Sequence, residues 1–289
     1  MNKGKNCLLM IDELDVSEDV KEALWKVYFV CSSDNVNIKK AVKDVFIISP
    51  LCKELEKITK CYERIIISKG VYPMRGSRTY LELAFPVSGK DADYKAFFSS
   101  PKLAAGTQNK YSGVFVISFE LWKSSRDLMR DAAFDELIKY IDETKKDGIS
   151  FVFHCTPEFK EPDLLKAELE KHLNLITLVH TYPDIERATE FVVKRLAKAG
   201  FMLDKPAKKE IKCILNEKID FKSGGYRGYD TLEKLVSNLL FELVFTAGRK
   251  GEDNYFHIGK KDILKIAPSI SVPNEEKTDD IHRKKAGFI

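Results

Sequence analysis

Two triplets of residues stand where an α/β sheet does its chemistry. Ser118, Phe119 and Glu120 follow the apolar run Val114–Ile117, and His154, Cys155 and Thr156 follow the apolar run Ile149–Phe153. Between the runs lies an amphipathic segment with Phe134, Leu137, Ile138 and Ile141 at i, i+3, i+4 and i+7, a single helical stripe. Strand, helix, strand is the parallel unit of a doubly wound sheet, and such sheets bind ligands at the carboxyl ends of their strands. The first triplet offers one carboxylate there, Glu120. The second offers a His–Cys pair. A cysteine hydrolase needs a separate orienting base and an activated thiol, so a strand-end pair in the core is the expected reading of His154–Cys155.

Two other stretches invite a phosphate chemistry. Cys7–Leu14 runs apolar residues into Asp12–Glu13, the look of a strand that holds magnesium and a catalytic acid. Such a strand works beside a phosphate loop, and none lies upstream. The expected reading is a docking stretch followed by a helix, capped by Asp15 or Ser17, with Val20, Leu24 and Val27 or Tyr28 on one face. Further on, Arg64–Ser68 reads as a buried strand leading into a glycine loop and then a helix. Backbone amides of such a loop cradle phosphates, and its Lys reaches the terminal ones. Here Gly70 and Gly76 are one residue too far apart, and Ser77, Arg78 and Thr79 follow in place of Lys then Ser or Thr. Arg78 offers a fork, which does not replace a Lys in so tight a site. The expectation is a loop that keeps the shape without the ligand. Ser88–Lys90 has no strand before it and is not a phosphate loop.

These groups need elements to hold them. A strand-like run ends at Ile48 before Ser49–Pro50, and Lys53–Tyr62 reads as helix. Val27–Val30 either extends as a strand or continues the preceding helix. The segment 86–110 is polar loop with a short helix. Gly148 ends the helix of the opening unit. Asp163–His172 is a short helix and Leu175–Val179 the next strand. Asp184 caps a helix whose Ile185, Ala188, Val192 and Leu196 share a face and which Gly200 ends. Helices then cover 206–219 and 229–245, with a glycine-rich turn between them, followed by a short extended segment at 255–258 and a last helical turn at 261–266. The expected organisation is an α/β domain over 1–183, a helical domain over 184–267 and a Pro-broken, flexible tail over 268–289.

Composition narrows the function classes. At 289 residues the chain can bury a large core. With 48 basic and 44 acidic residues its charge is nearly balanced, and its Lys/Arg runs are short and interleaved with acids. That gives no case for nucleic acid, which needs clustered positive charge. The six cysteines form no CxxC pair and are expected to be reduced, buried thiols with no disulfide and no metal site. The first apolar run is too short for a signal peptide or a membrane span, so a cytoplasmic location with no membrane partner is expected.

The order of elements resembles the AAA+ superfamily, an α/β nucleotide-binding domain followed by a small helical lid. The branch it is most similar to is that of the red-type Rubisco activases and the stage V sporulation protein K. The segment 11–24 echoes the opening L-x-E-L-x-G-L-x-x-V-K of that branch. The segment 133–159 resembles the helix and sensor-1 strand, 175–207 the last strand and start of the lid, and 224–240 the lid helix that carries sensor 2. The resemblance implies a P-loop-type parallel sheet flanked by helices, then a small all-helical AAA+ lid. It also implies functional positions, and most are changed. Arg78 is the nearest basic group to the phosphate-loop Lys. Ser118 and Phe119 stand at the magnesium-binding Asp and the catalytic Glu, with Glu120 one residue late. Thr156 falls near sensor 1 and can still donate a hydrogen bond. Where an arginine finger belongs there are only Lys171 and His172. At sensor 2 Asp230 replaces the expected Arg, and Arg227 lies three residues earlier.

Phosphoryl transfer is catalysed by positioning and charge neutralisation, which these replacements remove. The expected function is therefore a pseudo-ATPase: an AAA+ frame that serves as a protein-interaction or scaffold subunit, in a homo-oligomer or with an active AAA+ partner, with no cofactor. Two alternatives stay open. One is a divergent but active ATPase that remodels a protein client, using ATP and magnesium at Gly70, Gly76, Ser77, Arg78, Thr79, Thr156 and Arg227 with Glu120 as a substitute acid. The other is a nucleic-acid-binding AAA+ relative.

Overall fold

The computed structural model describes residues 3–35, 44–69, 77–87, 111–144, 149–223, 225–250 and 257–270. The chain divides into two compact units, Met1–Thr181 and Tyr182–Ile289.

The first unit is an α/β layer structure. Helices α1 (Lys3–Glu13) and α2 (Glu18–Ser32) precede strand β1 (Asp44–Ile48). There follow α3 (Lys53–Ser68), β2 (Ser77–Ala84), β3 (Tyr111–Ser118), α4 (Ser125–Met129), α5 (Ala132–Thr144), β4 (Ile149–Cys155), α6 (Pro162–Leu169) and β5 (Leu175–Val179). The sheet order is β2-β3-β4-β1-β5, and every pairing is parallel. The two faces alternate residue by residue, as the pleat requires. On one face Val45, Ile47, Val114, Val116 and Val152 pack under α1, α2 and α3 with Ile11, Leu24, Ile58 and Ile65. On the other, Phe46, Phe115, Ile117, Phe151 and Phe153 pack under α5 and α6 with Phe134, Leu137, Tyr140 and Leu165. One face is thus aliphatic and the other aromatic. The ring of Phe115 stacks on Tyr140 and that of Phe151 on Phe153.

Two expectations are corrected here. The segment 64–68 is not a strand: it is the last turn and a half of α3. Leu55, Ile58, Tyr62, Ile65 and Ile66 continue one buried stripe at helical spacing, and packing under the sheet overrides the strand preference of three consecutive isoleucines. The residues after the glycine loop are not a helix: Ser77–Ala84 is β2, in register with β3 from Ser77↔Tyr111 to Ala84↔Ser118. At the N-terminus, 3–13 is helical, with Cys7, Ile11 and Leu14 buried. Val27–Val30 continues α2, and Ser17 holds its N-cap position without a side-chain cap bond. The expectations for Gly148, for 88–110 and for the tail beyond 270 fall outside the described residues.

The second unit is mainly helical. It contains α7 (Ile185–Lys198), β6 (Met202–Leu203), α8 (Lys205–Lys218), α9 (Tyr229–Lys250), β7 (His257–Ile258) and α10 (Lys260–Ile266). Asp184 caps α7 by accepting from Arg187 N–H at 3.0 Å, and Asp204 caps α8 by accepting from Ala207 N–H at 2.6 Å. Gly228 has φ +58°, and a β-carbon there would strike the ring of Tyr182, so this turn requires glycine. An α/β unit with a parallel sheet flanked by helices, followed by a helical unit, is the arrangement expected of an AAA+ domain.

Candidate functional site

The carboxyl edge of the sheet is where a ligand would sit. Backbone bonds extend the ladder past each strand there. Phe119 N–H donates to the His154 carbonyl at 2.8 Å, Ser49 N–H to Cys155 at 3.0 Å and His180 N–H to Ile48 at 2.9 Å. The ends of β3, β4, β1 and β5 are thereby held together, with Ser118 opposite His154 in register.

The β3 and β4 ends close on themselves. His154 is fully buried, its Nε2 2.7 Å from the Ser49 carbonyl oxygen and its Nδ1 2.9 Å from Ser118 Oγ. A carbonyl can only accept, so Nε2 carries the proton. Burial holds the imidazole below its ordinary range, against the opposing pull of the Ser49 carbonyl. The ring is therefore neutral at pH 7, Nδ1 accepts, and the Ser118 hydroxyl donates to it. Phe119 is fully buried in the aromatic core, its ring stacked on Phe153 and edge-on to Phe85. Trp122 completes that corner by donating its indole N–H to the Phe85 carbonyl at 3.3 Å. Cys155 faces the same core, and burial pushes its thiol far above the usual range. The expected core pairing of His154 and Cys155 is what the fold contains.

At the β3 end a ligand would meet a hydroxyl and a core ring. Ser118 is a hydroxyl already committed to His154, and Phe119 is a core side chain. Neither supplies a carboxylate to hold magnesium or activate a water. Glu120 sits half-buried in the turn after β3, not on the strand. Thr156 is half-buried just past β4, its carbonyl accepting from Phe159 N–H.

The sheet also relocates the phosphate-loop position. In this topology it falls between β1 and α3, where Ser49, Pro50, Leu51 and Cys52 make the connection. That link is shorter than G-x-x-x-x-G-K-[ST] and contains no glycine. The predicted loop residues are elsewhere. Gly70 and Gly76 lie outside the described residues. Ser77, Arg78 and Thr79 open β2 at the amino end of an edge strand, the opposite end from the one that binds ligands. Arg227 belongs to the second unit, its backbone N–H donating to Thr231 Oγ1 at 3.0 Å. Lys171 pairs with Glu168, and His172 with Asp142.

The residues that sequence reasoning missed are at the β1 and β5 ends. Cys52 is the N-cap residue of α3, Glu54 lies in its first turn and His180 follows β5. One ligand atom from each lies within 4.8 Å of the other two. Glu54 and His180 are buried and Cys52 half-buried. Burial raises the Cys52 thiol above its ordinary range. Glu54 also pairs with Lys57 at 3.3 Å.

No protein-family model matches this chain, and no curated protein sequence matches it. Solved structures similar in chain path include the Thermotoga maritima RuvB Holliday junction branch migration motor, at 14% identity and TM-score 0.45, covering 88% of this chain and 70% of that one. The FIGL-1 AAA domain is similar at 15% identity and TM-score 0.44, covering 90% of this chain and 82% of that one. Domain III of the Thermotoga maritima replication initiation protein DnaA is similar at 11% identity and TM-score 0.44, covering 91% of this chain and 97% of that one. Likeness at this level carries nothing about the chemistry of the site. Among the described residues no helix is long and apolar enough to cross a membrane.

Proposed function

We propose that this chain is a pseudo-ATPase: an AAA+-type frame used as a protein-interaction or scaffold subunit, assembling with itself or with an active AAA+ partner. The observation that carries the reading is the closed end of β3 and β4, with Ser118 bonded to a neutral His154 and Phe119 in the core. Filling an edge with satisfied polar groups and aromatic rings suits a framework and opposes a nucleotide. A second feature favours protein contact. Helix α9 exposes Phe241, Val244 and Phe245 at about one-turn spacing, with the two phenylalanine rings stacked. Exposed apolar clusters of that kind mark interaction surfaces.

The test is a thermal-unfolding series with magnesium and ATP up to millimolar concentration, with oligomer size and ATP turnover read on the same sample. The expected result is no stabilisation and no turnover, with an assembled species that Phe241→Lys reduces in size. A ligand at about 100 times its dissociation constant stabilises by about 2.7 kcal/mol. A rise in unfolding temperature that corresponds to a stabilisation of that size, or steady turnover, would establish the divergent ATPase in its place.

A further inference from the structure

We infer that Cys52, Glu54 and His180 form a binding site for a thiophilic divalent cation of the Zn2+ class. The three side chains come from three elements locked together by the sheet. Parallel pairing of Ile48 with Val179 aligns the ends of β1 and β5, and the bond from His180 N–H to the Ile48 carbonyl fixes the histidine beside the turn into α3. Cys52 holds the N-cap position of α3 and Glu54 lies in its first turn, so one turn of backbone positions both. The sulfur, carboxylate oxygen and ring nitrogen lie within 4.8 Å of one another.

The donor set selects the ion. Thiolate, imidazole and carboxylate suit zinc-like metals, whereas magnesium and calcium take oxygen donors. Metal–ligand lengths of about 2.0–2.3 Å put tetrahedral ligand atoms roughly 3.3–3.8 Å apart, so closing the site from separations within 4.8 Å takes at most about 1.5 Å of side-chain movement. A thiolate, a carboxylate and a neutral imidazole carry two negative charges, which a divalent cation neutralises. Three protein ligands leave a fourth position for water. The helix N-terminus opposes a cation here and, with Lys57, accounts for a buried carboxylate on its own. Neither calls for a thiol and an imidazole converging on the same point.

The wild-type chain, reduced and stripped of metal by a chelator, is titrated with Co2+ while its absorption is followed, and Zn2+ is then added. The expected result is a single Co2+ per chain with a thiolate-to-cobalt charge-transfer band and strong tetrahedral d–d absorption, both removed by Zn2+. Cys52→Ser loses the charge-transfer band, and Cys213→Ser, at an exposed cysteine, keeps it. His180→Gln and Glu54→Gln weaken Co2+ binding by about 10-fold or more, as loss of a ligand should exceed the effect of removing its supporting partner. Absence of the band in the wild-type chain overturns the site, as does a band that survives Cys52→Ser. Should a variant fail to fold by circular dichroism, the Zn2+-induced rise in wild-type unfolding temperature decides the matter: its absence also overturns the site. The response to magnesium and ATP is read separately, so this site and the pseudo-ATPase reading can fail independently.

Discussion

At the carboxyl edge of one sheet, the ends of β3 and β4 and the ends of β1 and β5 are neighbours built from different chemistry. At the first, Ser118, His154 and the Ser49 carbonyl bond to one another, and aromatic rings pack beside them. At the second, a thiol, a carboxylate and an imidazole converge. The backbone is the same kind in both, parallel strands handing over to a turn. What differs is the set of side chains: a hydroxyl and an imidazole beside rings at one end, a thiol, a carboxylate and an imidazole at the other. A buried hydroxyl–imidazole–carbonyl chain is complete, because each donor meets an acceptor. The thiol, carboxylate and imidazole at the other end are the donor types of the cation inferred above, with Glu54 also paired to Lys57.

The largest expected effect comes from forcing the closed end to resemble a hydrolytic one. Phe119→Glu restores the carboxylate that the AAA+ resemblance expects, at a fully buried core position. Loss of the ring alone costs about 3–5 kcal/mol, and the buried charge adds to it. Urea unfolding should show a destabilisation of at least that size, with no ATP turnover gained. A variant as stable as wild type would break the comparison.

A smaller effect is expected from His154→Leu, which strands the Ser118 hydroxyl and the Ser49 carbonyl, at about 1–3 kcal/mol each. The same residue gives a pH signature. Its folded pKa is lowered, chiefly by burial, so the unfolded chain takes up a proton that the folded chain refuses. The contribution is complete above the unfolded value of about 6.5 and is lost as pH falls from there through the lowered folded value. Stability measured across that window should drop in wild type, and this part of the drop should vanish in His154→Leu.

The smallest effect sharpens the other side. In the presence of a chelator, Cys52→Ser should change stability by less than about 1 kcal/mol, since the thiol is half-buried and its replacement keeps a similar shape. Chemical denaturation under those conditions checks it. A large loss without metal would mean that the β1 and β5 end is held together by its own contacts, like its neighbour.

The strands Val114–Ile117, Ile149–Phe153 and Leu175–Val179 and the Asp184 cap were legible in the sequence because each carries its own local pattern: an uninterrupted apolar run, or a capping residue ahead of a helical stripe. The phosphate-loop region was misread because Ile65, Ile66 and Ile67 look like a strand when taken alone, and only the stripe that begins at Leu55 shows that they finish a helix. With that error the topology shifts, and Arg78 is read as a phosphate group's partner although it opens an edge strand at the far end of the sheet. The Cys52, Glu54 and His180 group had no spacing to find. Cys52 and Glu54 are neighbours in sequence, but His180 joins them only through the pairing of β5 with β1, and no local rule reaches across a sheet.

Trp122 gives the closed end a built-in optical reporter. The chain has two tryptophans. Trp25 lies against the aliphatic face, whereas Trp122 is buried beside Phe85 with its indole N–H bound to a carbonyl. With Trp25→Phe as background, a single emitter remains, surrounded by the rings of the closed end. Its fluorescence colour then reads directly whether that corner stays dry: blue emission while Phe119 and Phe85 cover it, and a red shift as soon as water enters.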